Sequence, residues 1–265
     1  MTSLVTERGI IHYESYGRGR PVLLLHGWLG SWELWRETIG VLGKEFRTYA
    51  IDFFGFGESS GKNNDDFKVD TYVELVHLFM DKLGIVKAPL IGHSMGGTVS
   101  LSTAIRYPEK VVKVCVIGSP IAGNSLNLLL KLSGYPAIAR FFWVSPYLLK
   151  LFLTSYSYLM AKDGRKMSRM MAHDISQISV NSFFQSIGTL RDTDLRPRLG
   201  EIKVPTLGIY GKRDIIVNPN QNLVLKQGVP HSQIAWYEDS GHFPMLDTPD
   251  KFVENLRTFL HTKHE

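Results

Sequence analysis

Short apolar runs and stretches with helical spacing alternate along the first 120 residues of the chain. The apolar runs are typical of strands, and they read IIHYESY, PVLLL, FRTYAID, APLIGH and VVKVCVI. The stretches between them place apolar residues three and four apart, as in the helix predicted over Val69–Leu83. Strands that alternate with helices form a mostly parallel central sheet flanked by helices. The sequence therefore predicts an α/β fold.

The alternation stops at Pro120 and resumes near Val204. Residues 120–199 have helical character, are rich in Leu, Phe, Tyr and Met, and contain no convincing strand. A segment of roughly eighty residues is too long to be a plain loop. We therefore expect a helical cap (lid) over residues 120–199, inserted after the sixth strand into a core formed by residues 1–119 and 200–265.

The segment GHSMG, residues 92–96, lies where an apolar strand meets a helix. A serine at such a turn is held in a strained backbone conformation with its hydroxyl above the edge of the sheet. A side chain at Gly92 or Gly96 would collide with neighbouring backbone, and the start of a helix favours developing negative charge. The pattern therefore predicts that Ser94 is a nucleophile.

A serine hydroxyl is a weak nucleophile at neutral pH and needs a general base. His242 is the candidate, because it lies in a loop between the last strand and the last helix. The base needs an orienting carboxylate, and Asp214 follows the strand TLGIYG, whereas the preceding strand ends in GSP and offers none. Asp239 competes, but it lies too close to its strand to reach the far nitrogen of the imidazole. We predict a triad of Ser94, Asp214 and His242.

A tetrahedral intermediate needs two backbone donors for its oxyanion. The N–H of Met95 follows the nucleophile, and Trp28 is the best placed residue in the loop after VLLLHG. His26 stands at the end of a strand before a glycine, and we expect it to fix that loop rather than to react. We expect the imidazole of His93 to pack beside the turn.

The segments HGWLG, DFFGFGES, GHSMGG, GKRD and SGHFPMLDTP occur in this order. With them the chain resembles the α/β-hydrolase fold superfamily, and in particular its lid-bearing carboxylesterase and haloperoxidase–perhydrolase-like branch. The resemblance covers the core and not residues 120–199. It implies the chain order nucleophile, acid, base, with Ser94 as nucleophile, Asp214 as orienting acid and His242 as base. It also implies oxyanion donors at Met95 and Trp28.

The function expected from this resemblance is hydrolysis of carboxylic esters of apolar small molecules through an acyl-enzyme intermediate. Dehalogenases and epoxide hydrolases of this fold place Asp at the turn, so Ser94 argues against both. Carbon–carbon bond hydrolases often place Trp after the catalytic His, where this chain has Phe243, which weakens that alternative. Perhydrolysis, lactone opening, thioester cleavage and a hydrolase-like small-molecule receptor remain open alternatives, because all use the same residues.

Aromatic residues of the predicted cap have two interpretations, packing onto the core or lining of an apolar substrate pocket. The candidate pocket residues are Phe142, Trp143, Tyr147 and, outside the cap, Phe243. A further alternative is that an apolar face ringed by lysine and arginine residues contacts a membrane surface.

Composition limits the remaining function classes. The net charge of +5 is concentrated in residues 121–200, without the basic runs and stacking aromatics of nucleic-acid sites. We expect no metal and no cofactor, because the sequence contains neither an HExxH motif nor a cysteine cluster nor a dinucleotide glycine pattern. The single cysteine, Cys115, excludes an intrachain disulfide, and with no secretion signal or membrane span we expect a cytoplasmic monomer or dimer.

Overall fold

The computed structural model describes residues 2–61, 66–133 and 146–262 of the 265-residue chain. Nine strands of these ranges form one sheet. The strands are β1 Thr2–Thr6, β2 Gly9–Tyr16, β3 Pro21–Leu25, β4 Arg47–Ile51, β5 Ser60–Gly61, β6 Ala88–His93, β7 Val111–Ile117, β8 Thr206–Gly211 and β9 Gln233–Tyr237. The order across the sheet is β1-β2-β4-β3-β6-β7-β8-β9, with β5 paired to β2.

Strand direction follows the predicted pattern. The strands β1, β2, β4 and β5 pair antiparallel at one edge, whereas every pair from β4 to β9 across the sheet is parallel. The central strands β3, β6, β7 and β8 are buried along almost their whole length, because helices cover both faces of a parallel sheet. The chain therefore has the predicted α/β-hydrolase architecture.

Helices follow most strands. They are α1 Arg36–Leu42, α2 Val69–Lys82, α3 Met95–Arg106, α4 Leu128–Ser133, α5 Pro146–Ser157, α6 Gly164–Ser176, α7 Val180–Asp192, α8 Gln221–Gly228, α9 Pro244–Asp247 and α10 Pro249–His261. The helix predicted over Val69–Leu83 agrees with α2 to within one residue. Short 3₁₀ turns cover Trp32–Trp35, Pro108–Lys110, Gly123–Ser125 and Arg196–Glu201.

The helices α4 to α7 all lie between β7 and β8, in the segment for which a cap was expected. β7 is the seventh strand along the chain, or the sixth when the two-residue β5 is left out. The start of the segment is tied to the region after β8, because Gln221 Oε1 accepts hydrogen bonds from the backbone N–H groups of Ile121 and Ala122. The division into a core and a cap stays a prediction.

The carboxyl ends of the parallel strands collect the residues with predicted chemistry. Ser94 follows β6, Asp214 follows β8 and His242 follows β9. In parallel sheets these ends meet at one edge, where ligands usually bind. None of the helices in the described ranges combines the length and the apolar character needed to cross a membrane.

Candidate active site

Ser94 occupies the turn between β6 and α3 with φ 50° and ψ −118°. A positive φ is unfavourable for a residue with a side chain. The turn is tight, because a Cβ atom on Gly92 would lie 2.2 Å from the carbonyl oxygen of Gly96, and one on Gly96 would lie 2.3 Å from that of Leu25. Both glycines are therefore required by close approach of the backbone, and they hold Ser94 in its strained conformation.

Asp214 and His242 lie together beside this turn. The Nδ1 atom of His242 is 2.7 Å from Oδ2 of Asp214, and both side chains are almost completely buried. The other carboxylate oxygen, Oδ1, accepts hydrogen bonds from the backbone N–H groups of Ile216 and Val217, at 2.8 and 3.0 Å. Three donors thus fix the carboxylate, so it can hold the imidazole in one orientation and in the tautomer protonated on Nδ1.

Asp239 lies elsewhere. It forms an exposed ion pair with Arg213 at 3.0 Å, so the structure brings Asp214 and not Asp239 to His242. Gly118, which follows β7, has φ 54°, and a Cβ atom there would lie 3.1 Å from Nδ1 of His242. Sequence reasoning noted that GSP offers no carboxylate, but it missed that this glycine makes room for the His242–Asp214 pair.

The hydroxyl of Ser94 has no hydrogen-bond partner among the described residues, and Ser94 is 6% exposed. A catalytic hydrogen bond between nucleophile and base is often long or poorly aligned until substrate binds. The arrangement leaves Nε2 of His242 available as acceptor, because Nδ1 is taken by Asp214.

The two other histidines of the motifs have structural roles. Nδ1–H of His26 donates to the carbonyl oxygen of Gly27 at 2.7 Å, and its Nε2 accepts from the backbone N–H of Phe53 at 3.0 Å. Burial lowers the pKa of His26, which is therefore neutral. His26 fixes its loop, as expected, and His93 packs beside the turn with its ring centroid 4.7 Å from that of His242.

The predicted oxyanion donors border Ser94 from two sides. Met95 is the first residue of α3, so its N–H has no acceptor within the helix. The loop with Trp28 approaches closely, because a Cβ atom on Gly27 would lie 3.1 Å from Cβ of Ser94. Leu29, the next residue after Trp28, has φ 59°. In the described ranges, Leu29 and Ser94 are the only residues other than glycine with a positive φ. Backbone strain is thus concentrated at this site.

Two of the four predicted pocket residues lie in the part of the chain that the structure describes. Phe142 and Trp143 lie outside the described residues. The side chain of Tyr147 is 74% exposed on α5, so its position does not support the expectation that it lines an enclosed pocket. Phe243 is buried, with its ring centroid 4.7 Å from that of His93, and it packs behind the base.

A buried network beneath the Trp28 loop was not predicted. Oδ1 of Asp52 accepts from the backbone N–H of Trp32 at 2.6 Å, and Oδ2 accepts from Glu58 N–H and lies 2.8 Å from Nδ1 of His12. Burial by itself lowers the pKa of His12, but the hydrogen bond and the charge of Asp52 outweigh it, so the pKa is raised. This network anchors the end of the loop that carries Trp28.

No group of three or more His, Cys, Asp or Glu side chains within the described ranges is arranged to hold a metal ion.

Comparison with known proteins decides the family. A model of the α/β-hydrolase fold family matches residues 20–249, which is most of the chain. The chain belongs to the α/β-hydrolase fold family. The match includes the Trp28 loop, the turn at Ser94, Asp214 and His242.

Similar proteins within this family carry different names. The 2-hydroxy-6-oxo-6-phenylhexa-2,4-dienoate hydrolase of Comamonas testosteroni is 29% identical over 266 residues, covering 95% of this chain and 91% of that protein. The pimeloyl-(acyl-carrier protein) methyl ester esterase of Aeromonas salmonicida is 26% identical over 272 residues, covering 94% of this chain and 99% of that protein. A solved esterase from Exiguobacterium antarcticum superposes with a TM-score of 0.85 at 23% identity, covering 96% of each chain.

Proposed function

We propose that this α/β-hydrolase is a serine hydrolase that cleaves carboxylic esters of apolar small molecules through an acyl-enzyme intermediate. The observation that carries the proposal is the 2.7 Å contact between His242 and the fully hydrogen-bonded carboxylate of Asp214, beside a strained Ser94. A nucleophile, a base and an orienting acid in these positions are the parts that acyl transfer requires.

The first half of the reaction forms the acyl-enzyme. Nε2 of His242 takes the proton of Ser94 as the serine oxygen attacks the ester carbonyl carbon. The backbone N–H groups of Met95 and Trp28 stabilise the negative charge on the former carbonyl oxygen. The bond to the alcohol then breaks, and His242 returns the proton to the leaving oxygen.

The second half releases the acid. Water enters, His242 removes one of its protons, and the resulting hydroxide attacks the acyl carbon through the same oxyanion site. The bond between that carbon and the oxygen of Ser94 then breaks, and His242 returns the proton to Ser94 as the acid leaves. Asp214 keeps the proton of His242 on Nδ1 throughout and stabilises the imidazolium that forms twice in each cycle.

We propose that residues 120–199 act as the cap of this site. Two contacts support this role. Nε1–H of Trp28 donates to the carbonyl oxygen of Phe183 in α7 at 3.1 Å, and the hydroxyl of Ser31 donates to Asp174 in α6 at 2.7 Å. The helices therefore lie directly on the loop that carries one oxyanion donor. An apolar small molecule suits a site covered by a segment so rich in Leu, Phe and Met.

A second candidate function is cleavage of a carbon–carbon bond in a 2-hydroxy-6-oxo-dienoate. The name and 29% identity of the Comamonas testosteroni relative favour it. The same serine, histidine and aspartate serve in both reactions. Phe243 after the base, where such enzymes often have Trp, favours the ester.

The test is a series of 4-nitrophenyl esters of increasing acyl length, run with wild type, Ser94→Ala and Ser102→Ala. Ser102 is a matched control, because it lies two turns along the same helix and its buried hydroxyl has no hydrogen-bond partner among the described residues. We expect Ser94→Ala to lose on the order of 10⁴-fold or more in kcat, with Ser102→Ala near wild type. Near-normal turnover by Ser94→Ala would overturn the proposal.

The same assay separates the two candidates. A 2-hydroxy-6-oxo-6-phenylhexa-2,4-dienoate substrate is tested beside the esters at equal enzyme concentration. A kcat/KM higher for the dienoate than for every ester, and lost in Ser94→Ala, would replace the esterase by the carbon–carbon hydrolase.

A further inference from the structure

A buried carboxylate joins helix α6 to the loop that carries Trp28. Oδ1 of Asp174 accepts a hydrogen bond of 2.7 Å from the hydroxyl of Ser31, and each residue is only 2% exposed. The oxygen of Ser31 also accepts from the backbone N–H of Glu33 at 3.3 Å. Ser31 is thus held between the helix and the 3₁₀ turn that begins at Trp32, so its hydroxyl hydrogen points to Asp174.

This contact restrains the loop from residue 27 to residue 32 at its far end. The near end is held by Trp28, whose indole N–H bonds Phe183 O and whose ring centroid lies 4.7 Å from that of Phe183. The backbone of Trp32 is held from below by Asp52. Helix α7 therefore holds the near end of the loop and helix α6 holds the far end, so the position of the Trp28 backbone N–H depends on both helices.

Asp174 differs from the other buried carboxylates near the site. Asp52 and Asp214 each bind three hydrogen-bond donors, two of them backbone N–H groups. Asp174 accepts one hydrogen bond among the described residues, from Ser31. An ionised carboxylate with so few donors is costly to bury. The Ser31–Asp174 contact is therefore one whose strength depends on the charge of the acid.

We propose that Asp174 is a positioning residue, which holds the Trp28 loop in place through its hydrogen bond with Ser31. It touches neither substrate nor the reacting atoms. Its effect on catalysis rests on the proposed function, because it acts through the Trp28 N–H. Its effect on the position of the loop does not depend on the proposed function.

The surroundings of Asp174 make this contact sensitive to pH. Burial raises the pKa of Asp174 to about 7, the hydrogen bond from Ser31 opposes the shift, and the negative charges of Asp52 and Glu33 add to it. Among the basic side chains of α1 and α6, Arg36 is paired with Glu33 and Lys166 with Glu37. Below neutral pH the carboxyl is uncharged, and Ser31 forms an ordinary hydrogen bond with it. Above neutral pH the carboxylate accepts a stronger, charge-assisted hydrogen bond from Ser31, although its charge is repelled by Asp52 and Glu33.

Four variants test the role of Asp174. Asp174→Asn keeps an oxygen acceptor for Ser31 without the charge, whereas Asp174→Ala and Ser31→Ala remove the contact. Asp163→Ala is the matched control, because Asp163 caps the same helix by accepting from Lys166 N–H at 2.9 Å and lies away from the loop. The Asp163→Ala variant removes the cap at the start of α6 and leaves the contact between Asp174 and Ser31 in place.

Kinetics give the first readout. We expect Asp174→Ala and Ser31→Ala to lose about tenfold or more in kcat with KM changed much less, because a displaced donor weakens transition-state binding. The double variant should be no worse than Asp174→Ala. The ratio of Asp174→Asn to wild-type kcat should fall as the pH rises through about 7, because only the wild-type acid gains the charge-assisted hydrogen bond from Ser31. A flat ratio, or equal losses in Asp163→Ala and Asp174→Ala, would refute the proposal.

Amide hydrogen exchange gives a readout that needs no activity. In a Ser94→Ala background, we expect peptides covering residues 27–32 to lose protection in Asp174→Ala and Ser31→Ala but not in Asp163→Ala. If the ester assay fails and this pattern holds, the proposed function is wrong and the positioning role stands. If the ester assay succeeds and protection is unchanged, the positioning role is wrong.

Discussion

Nε2–H of His93 donates a hydrogen bond to the backbone carbonyl oxygen of His242 across 2.9 Å. His93 precedes Ser94, so this bond ties the loop of the proposed base to the turn of the proposed nucleophile. The acceptor is a carbonyl, so the proton must lie on Nε2. Burial holds the pKa of His93 well below its usual value, with the neighbouring His242 adding to the shift. The imidazole is therefore neutral, and its hydrogen bond fixes the backbone position of His242 relative to Ser94.

Substitution of His93 should change kcat according to whether the donor is kept. His93→Gln places an amide N–H near the position of Nε2, and we expect it to retain turnover to within about tenfold. His93→Leu leaves the buried carbonyl of His242 without a donor, which costs about 1–3 kcal/mol. We expect a larger loss of kcat from His93→Leu, measured on the best 4-nitrophenyl ester. Equal kcat in both variants would show that the hydrogen bond does not position His242.

The stability of the protein should fall on the acid side because of buried neutral histidines. The pKa values of His26 and His93 are lowered, chiefly by burial. On acidification below about 6.5 the unfolded chain takes up these protons and the folded chain does not, so stability decreases by up to about 1.4 kcal/mol per pH unit for each residue. His93→Gln removes one of the two groups.

Urea unfolding at pH 5 and pH 7 measures this effect. We expect the free energy of unfolding to drop less between pH 7 and pH 5 in His93→Gln than in wild type, whatever its value at pH 7. An identical drop in the two proteins would mean that His93 takes up its proton in the folded state.

Asp174 should make the stability of the protein fall as the pH rises, which is opposite to the effect of the two buried histidines. Its carboxyl stays protonated in the folded protein up to about pH 7, whereas in the unfolded chain it ionises near 3.9. Wild-type stability should therefore lose a contribution as pH rises from about 4 to about 7. Thermal unfolding of Asp174→Asn, which cannot ionise, should show a Tm advantage over wild type that grows across this window and levels off above it. A constant Tm difference would contradict a raised pKa.

The turn at Ser94 could be predicted because its residues are consecutive. Two glycines around a serine, between a strand and a helix, leave few alternatives, and the structure shows the close approaches that require them. Asp214 could be chosen over Asp239 because strand ends are readable from the sequence. The contact between Ser31 and Asp174 joins residues 143 positions apart and follows no local pattern. Strand β1 was also missed, because it is largely exposed at the edge of the sheet and shows no buried face.

Alanine at Gly96 should destabilise the protein strongly. The added Cβ would meet the carbonyl oxygen of Leu25 at 2.3 Å, and neither backbone can move without distorting the sheet. Overpacking of this kind costs about 1–3 kcal/mol or more. Gly40→Ala is the control, because nothing lies within 4 Å of its Cβ position and it lies inside α1. There we expect a gain of about 0.5–1 kcal/mol, and a Gly96→Ala variant as stable as Gly40→Ala in urea unfolding would contradict the close approach.

Asp214→Asn should abolish most activity while it preserves the fold. The asparagine amide can occupy the same space, but if its N–H₂ group faces Nδ1 of His242, the imidazole carries its proton on Nε2 and cannot accept one from Ser94. The corresponding change in a serine protease lowers kcat on the order of 10⁴-fold. Asp239→Asn provides the matched control, since Asp239 is exposed and pairs only with Arg213 among the described residues. We expect its kcat to stay within about twofold of wild type, and comparable losses from the two substitutions would mean that Asp214 does not orient the base.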